Sequence, residues 1–252
     1  MSSTGRFVMG RRAVQQLLED SPERIEQVWL IEHKSGASED PLYLELQSLG
    51  VPCNFVNTKN LNELVASESH QSVVVAVSDR REVNFKDWLA AQSEKESSLV
   101  VLLDSVMDPH NVGAVLRASE CFAVDAVLWS KNRGPNVTPV VTKSSAGASE
   151  FIDIFRVANL AQAIRALKEV GFWVVGAEAQ GEGVESLWDF KFPQKTALVL
   201  GSEGSGMRQL TKREIDHAVH IPMFGRISSL NISQAAAVFA SEYRRANFAT
   251  AP

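Results

Sequence analysis

The chain has 252 residues, of which 45% are hydrophobic, and its 25 Lys and Arg against 30 Asp and Glu give a formal net charge of −5. That is ample material for one large core or two modest ones, and it argues against a protein coated in nucleic acid, while local pairs such as Arg11-Arg12, Lys212-Arg213 and Arg244-Arg245 remain compatible with RNA contacts. No apolar run approaches a bilayer span, Met1 to Arg12 lacks a secretory apolar segment, and Cys53 and Cys121 sit far apart without metal spacing, which predicts a cytoplasmic protein with no membrane partner and two buried free thiols.

Taken in order, residues 6 to 78 alternate strands and helices. Val14, Leu17 and Leu18 form a helical stripe after Gly10, and Ser21-Pro22-Glu23 predicts an N-cap with proline at the first helical position. Val28 to Ile31 reads as a strand. Asp40-Pro41 opens a helix through Leu42, Leu46 and Leu49 that Gly50 closes. Val51 to Val56 is a strand, Thr58 to Val65 a short helix, and Ser72 to Val77 a β-branched strand. The pattern is that of a small α/β domain, taken as residues 1–79. Residues 80–97 are rich in charge and read as a linker, with Phe85, Trp88 and Leu89 at helical spacing so that part of it docks as a helix.

Leu99 to Leu103 opens a second unit, residues 98–252. Asn111 is read as the N-cap of a helix with Val112, Val115, Leu116 and Phe122 as its buried stripe, and Arg117 lies off that stripe, either facing a ligand or standing as a plain surface cation. Ala126 to Trp129 is a strand, Thr138-Pro139 begins a helix, Leu160 to Val170 is an amphipathic helix closed by Gly171, and Phe172 to Val175 is again a strand. Strand and helix in alternation imply a parallel sheet covered on both faces.

The densest chemistry lies between Leu198 and Ala236. The run Ala197 to Leu200 feeds Gly201-Ser202-Glu203-Gly204-Ser205-Gly206, a buried strand ending in a turn that offers backbone N–H groups. Thr211 to Glu214 has the form of a capping box and predicts a short helix starting there. His220-Ile221-Pro222-Met223 is a second strand end and Gly225 to Asn231 a second turn. Asn231 caps a last helix whose Ile232, Ala235, Ala236, Phe239 and Tyr243 face a core or a partner. Two such strand ends make either a pocket floored by backbone or two ordinary loops. The glycine order G-x-x-G-x-G is not the dinucleotide fingerprint, no G-K-[ST] element is present, and His217 with His220 lacks a third metal ligand nearby.

Three segments together carry a resemblance. Asp108-Pro109-His110-Asn111-Val112-Gly113-Ala114 through Arg117, then Leu198 to Gly204, then Ile221-Pro222-Met223 through Ser229-Leu230-Asn231-Ile232-Ser233, resemble motifs one to three of the SpoU branch of the SPOUT RNA methyltransferases. Val8 to Val14 with Ser21 to Arg24 also resembles the amino-terminal RNA-binding domain of the subgroup that methylates a guanosine ribose in 23S rRNA. The resemblance implies an α/β fold with a parallel-sheet carboxyl-terminal domain tied in a deep trefoil knot, against the general expectation that chains do not thread loops. It implies S-adenosylmethionine as cofactor, bound through main chain at Gly201, Ile221 and Leu230, with Arg117, Asn111, Glu203, Ser229 and Asn231 around the reacting ribose. It also implies 23S rRNA as the RNA partner, no DNA, no metal, and a homodimer that buries the last helix. Ser105 and Ala123 depart from the family pattern, standing where glycine is frequent, and Arg226 adds a cation beside motif three.

Three other readings compete. The same chemistry on transfer RNA, or on another rRNA nucleotide as in antibiotic resistance, is one. A non-catalytic RNA-binding ribosome assembly factor is the second, and a nucleotide-dependent oxidoreductase, disfavoured by the glycine order, is the third.

Overall fold

The structure, a computed structural model, describes residues 6–31, 40–65, 68, 70–78, 83–202 and 204–248. It divides into two compact units, Met1–Glu82 and Val83–Pro252.

The first unit holds β1 (Arg6–Met9), α1 (Arg11–Asp20), β2 (Ile25–Ile31), α2 (Pro41–Ser48), β3 (Cys53–Val56), α3 (Thr58–Val65) and β4 (Val73–Val77). Its sheet runs β1-β4-β2-β3, antiparallel except for the β2–β3 pair. The all-apolar β4 is an inner strand with every residue buried, as a β-branched run without alternation requires. Asp40 caps α2 by accepting from the Leu42 N–H at 3.0 Å, and Gly50 ends it at φ +71. Ser21 does not start a helix of any length. Pro22–Arg24 is a single 3-10 turn, and Ser21 makes no side-chain cap bond because β2 begins directly at Ile25.

The second unit contains α4 (Phe85–Gln92), β5 (Ser98–Asp104), α5 (Pro109–Cys121), β6 (Ala126–Ser130), α6 (Pro139–Ser144), β7 (Asp153–Val157), α7 (Leu160–Glu169), β8 (Trp173–Ala177), β9 (Glu185–Ser186), β10 (Lys195–Gly201), α8 (Gln209–Lys212), β11 (His217–His220) and α9 (Ile232–Asn247). Its seven strands are all parallel in the order β7-β6-β5-β10-β8-β11-β9. Alternate residues of β5 serve opposite faces: Leu99, Val101 and Leu103 join a core with α5 and α9, while Val100 and Leu102 join one with α7 and the Trp88 ring of α4. The chain runs from β5 outward to β7, then returns to β8 on the far side, and β10 is laid between β5 and β8. Adjacent crevices at such a reversal of strand order are where open α/β sheets bind ligands.

Three expectations are corrected. The cap of α5 is Asp108, whose carboxylate accepts from the His110 N–H at 3.0 Å with Pro109 at the first helical position, so Asn111 lies inside the first turn. Thr211 does not cap a helix but sits buried inside the single turn of α8, which starts at Gln209. Cys121 is exposed and Cys53 half-buried, so neither thiol is a core residue. Of the two readings of the α9 stripe, the core holds, since Ile232, Ala236, Phe239 and Tyr243 are buried in this chain's own core. No helix among the described residues is long and apolar enough to cross a membrane.

Candidate functional site

Parallel strands put all their carboxyl ends on one edge, and the segments singled out in the sequence gather there. Asp104 and Gly201 end β5 and β10 side by side, in register with each other. Ile221 follows the end of β11, separated from β10 by β8 alone. At the usual strand spacing the Gly201 and Ile221 backbones are therefore about 10 Å apart.

The turn after β10 is closed on itself. Ser202 and Gly206 exchange backbone hydrogen bonds at 3.2 and 2.9 Å, and Gly204 and Gly206 take φ values of +83 and +65. A Cβ on Gly201 would come within 2.3 Å of the Gly206 carbonyl carbon and 2.4 Å of the Met207 nitrogen, so only glycine lets the returning chain lie this close. Glu203 lies outside the described residues.

An ion pair that sequence reading missed anchors this turn. Asp104 has 0% side-chain exposure, and it accepts from the Arg208 backbone N–H at 2.8 Å, from Arg208 Nε at 2.7 Å and from Ser105 Oγ at 3.1 Å. Burial pushes the Asp104 carboxyl up, but the hydrogen bonds and charge of Arg208 outweigh it and hold the group below the usual carboxylate range. The signal in the sequence was a carboxylate closing the apolar run Leu99 to Leu103. Ser105 has φ +65 and Ala123 φ +50, so both departures from the glycine pattern occupy the left-handed backbone region.

Motif three reaches motif one directly. Asn231 caps α9 with a reciprocal Gln234 bond, and its Nδ2 donates to Asn111 Oδ1 at 3.0 Å. Because Asp108 does the capping of α5, the Asn111 amide is free for this cross-link. Between the two anchors, residues 222–229 form no hydrogen bond among the described residues, so their main-chain groups remain available at the sheet edge. Ile221 is half-buried against the core, Leu230 is half-buried, and Ser229 is exposed. These features fit a ligand held by backbone: a crowded glycine turn on one side and an uncommitted strand-to-helix segment on the other.

Arg117 stands apart from this cluster. It is exposed, and six residues beyond Asn111 it lies about 9 Å along α5 and about 120° around it. Gly113 packs against α6 at Ser144, and Arg117, one turn later on that flank, forms no ion pair among the described residues. Within one chain, then, Asn111 and Asn231 are brought into contact, Gly201 and Ile221 share an edge and Leu230 adjoins Asn231 in sequence, while Arg117 is exposed. His217 contacts Glu185 and aromatic rings, and no group of three His, Cys, Asp or Glu suited to a metal occurs among the described residues.

Residues 98–241 match the SpoU rRNA Methylase family, and residues 7–83 match the family described as RNA 2′-O ribose methyltransferase substrate binding. The chain is 37% identical over 232 residues to 23S rRNA (guanosine-2′-O-)-methyltransferase RlmB of Haemophilus influenzae, covering 92% of this chain and 94% of that one. Among solved structures, one titled RNA 2′-O ribose methyltransferase aligns over 95% of this chain and 88% of its own, with a TM-score of 0.76 and 20% identity. The SpoU methyltransferase AviRb of Streptomyces viridochromogenes, solved in complex with the cofactor AdoMet, aligns over 97% and 91% with a TM-score of 0.74 and 22% identity.

Proposed function

The chain belongs to the SpoU rRNA methylase family, and from that premise we propose that it transfers the methyl group of S-adenosylmethionine to the ribose 2′-hydroxyl of a guanosine in 23S rRNA. What carries the reading to these residues is the Asn231–Asn111 hydrogen bond, which ties the third motif to the first. The 23S target rests on the relatives, whose names give it and whose length this chain spans almost completely. Residues 1–79 are assigned to RNA binding, 98–252 to catalysis and 80–97 to the linker between them.

Bound S-adenosylmethionine supplies an electrophilic methyl on a sulfonium. The chain's part is mostly orientation. The turn at Gly201 and the free main chain through Ile221 and Leu230 hold the donor. Asn111, Ser229 and Asn231 supply amide and hydroxyl groups to fix the ribose. The hydroxyl must lose a proton as its oxygen takes the methyl, and of the proposed set only Glu203 carries a carboxylate able to accept it. Arg117 is a poor base, since a guanidinium has five donors and no acceptor; it holds a phosphate and stabilises the developing alkoxide.

Its position on the outer face of α5 bears on assembly. We take the enzyme to be a cytoplasmic homodimer in which Arg117 of one chain completes the site of the other, because one chain alone leaves it about 120° around α5 from Asn111. The turns at Gly201, Ile221 and Leu230 are taken as the crossing of a trefoil knot. Titration of the full chain with S-adenosylmethionine and its demethylated product tests the cofactor assignment: saturable binding of both is expected, and absence of binding would favour a non-catalytic RNA-binding factor.

A further inference from the structure

Two of the largest exposed apolar side chains in the second unit touch each other. Trp188 and Phe224 are 63% and 81% exposed, and their rings stack with centroids 5.3 Å apart at 20°. They come from different strands. Trp188 follows β9 and Phe224 follows β11, so the pair spans the two outermost strands at the edge that carries Ile221. Trp188 is also the odd residue of its run, since Leu187, Phe190 and Phe192 around it are buried in the core.

Rings of this size are ordinarily buried, and here mutual contact covers one face of each while the rest meets water. Phe224 lies on the segment 222–229 that forms no hydrogen bond among the described residues, and Arg226 is exposed two residues further on with no ion pair among them. A flat aromatic surface beside a lone cation suits a nucleobase and its phosphate. Every base has a π face, and RNA recognition relies on unstacked bases laid on aromatic rings.

We propose that the Trp188–Phe224 pair is a stacking platform for an unpaired base of the RNA substrate close to the methylated nucleotide, with Arg226 on the adjoining phosphate. The inference rests on the methyltransferase reading above. It places an RNA-positioning element at the outer end of the sheet edge, on the segment that runs from Ile221 to Ser229 and Asn231.

The test uses the full chain with S-adenosylmethionine and an unmodified 23S rRNA fragment, comparing wild type with Phe224→Ala, Trp188→Ala and Arg226→Ala. Both ring deletions are expected to raise the KM for RNA roughly five- to a hundred-fold, and Phe224→Trp to restore it. Affinity for S-adenosylmethionine and oligomeric mass stay as in wild type. The rings are on the surface, so the variants are expected to melt with the wild type. An unchanged KM would overturn the platform, and so would a fall in oligomeric mass, which would mean that a second copy covers the rings. If wild type transfers no methyl to any RNA, the enzymatic reading itself fails, an outcome distinct from either of these.

Discussion

Replacing Asp104 by Ala removes a carboxylate with 0% side-chain exposure and leaves Arg208, itself 34% exposed, without its partner. Three acceptor contacts go together: two to Arg208 and one to Ser105. Breaking a buried pair from one side costs about 3–5 kcal/mol, and the partial exposure of Arg208 places the expected loss near the lower end, about 3 kcal/mol. Urea unfolding followed by far-UV circular dichroism reads the loss as a lower midpoint with unchanged slope. The Arg208 N–H starts the return from the glycine turn, so affinity for S-adenosylmethionine should fall in the same variant. A cycle with Arg208→Met and the double variant should show coupling, the double losing less than the sum of the singles. The pair also sets a pH dependence. Asp104 titrates below its ordinary value when folded, so its contribution is complete above about pH 4 and disappears as pH falls through the lower folded value. Wild type should therefore lose stability in acid more steeply than Asp104→Ala. An Asp104→Ala protein within about 0.5 kcal/mol of wild type, with cofactor affinity intact, would refute the assignment of this pair as the anchor.

Ala123→Gly should stabilise the protein by about 0.5 kcal/mol, because relief of a left-handed non-glycine residue exceeds glycine's extra unfolded entropy; a lower thermal midpoint would contradict this. Tyr243 is fully buried and donates to the Gln194 carbonyl, and burial raises its phenol to about 12. Folding thus holds that proton more tightly than the unfolded chain does. Stability should fall between about pH 10 and pH 12, by on the order of 2–3 kcal/mol, and Tyr243→Phe should remove that slope in alkaline unfolding curves. Arg117→Ala and Asn231→Ala chains should each be nearly inactive alone and recover activity when refolded together, because a mixed pair retains one intact site. No recovery on mixing would place Arg117 in its own chain's site.

The sequence made much of the frame legible for identifiable reasons. The unbroken apolar runs at Leu99–Leu103 and Ala197–Leu200 became the paired central strands β5 and β10, since a strand buried on both faces shows no alternation. Asn231 proved to be the cap of α9, with Gln234 answering it from the third helical position. Local rules failed where a distant residue competed. Asn111 lost the cap of α5 to Asp108, three residues earlier, and gained Asn231, 120 residues away, as its partner. Thr211 lost the start of α8 because Asp104, from the end of β5, takes up the N–H of Arg208. The α9 stripe could face a core or a partner equally well by periodicity, and only the packing against α5 and β5 decided for the core. The outer placement of Arg117 follows from helix geometry once the true start of α5 is known.

The most direct measurement is a map of ribose methylation on 23S rRNA taken from cells lacking this protein, before and after incubation with purified chain and S-adenosylmethionine. One new 2′-O-methylguanosine is expected, requiring the cofactor and absent with Arg117→Ala. Methyl transfer to a base, to transfer RNA alone, or to no RNA at all would contradict the proposed function.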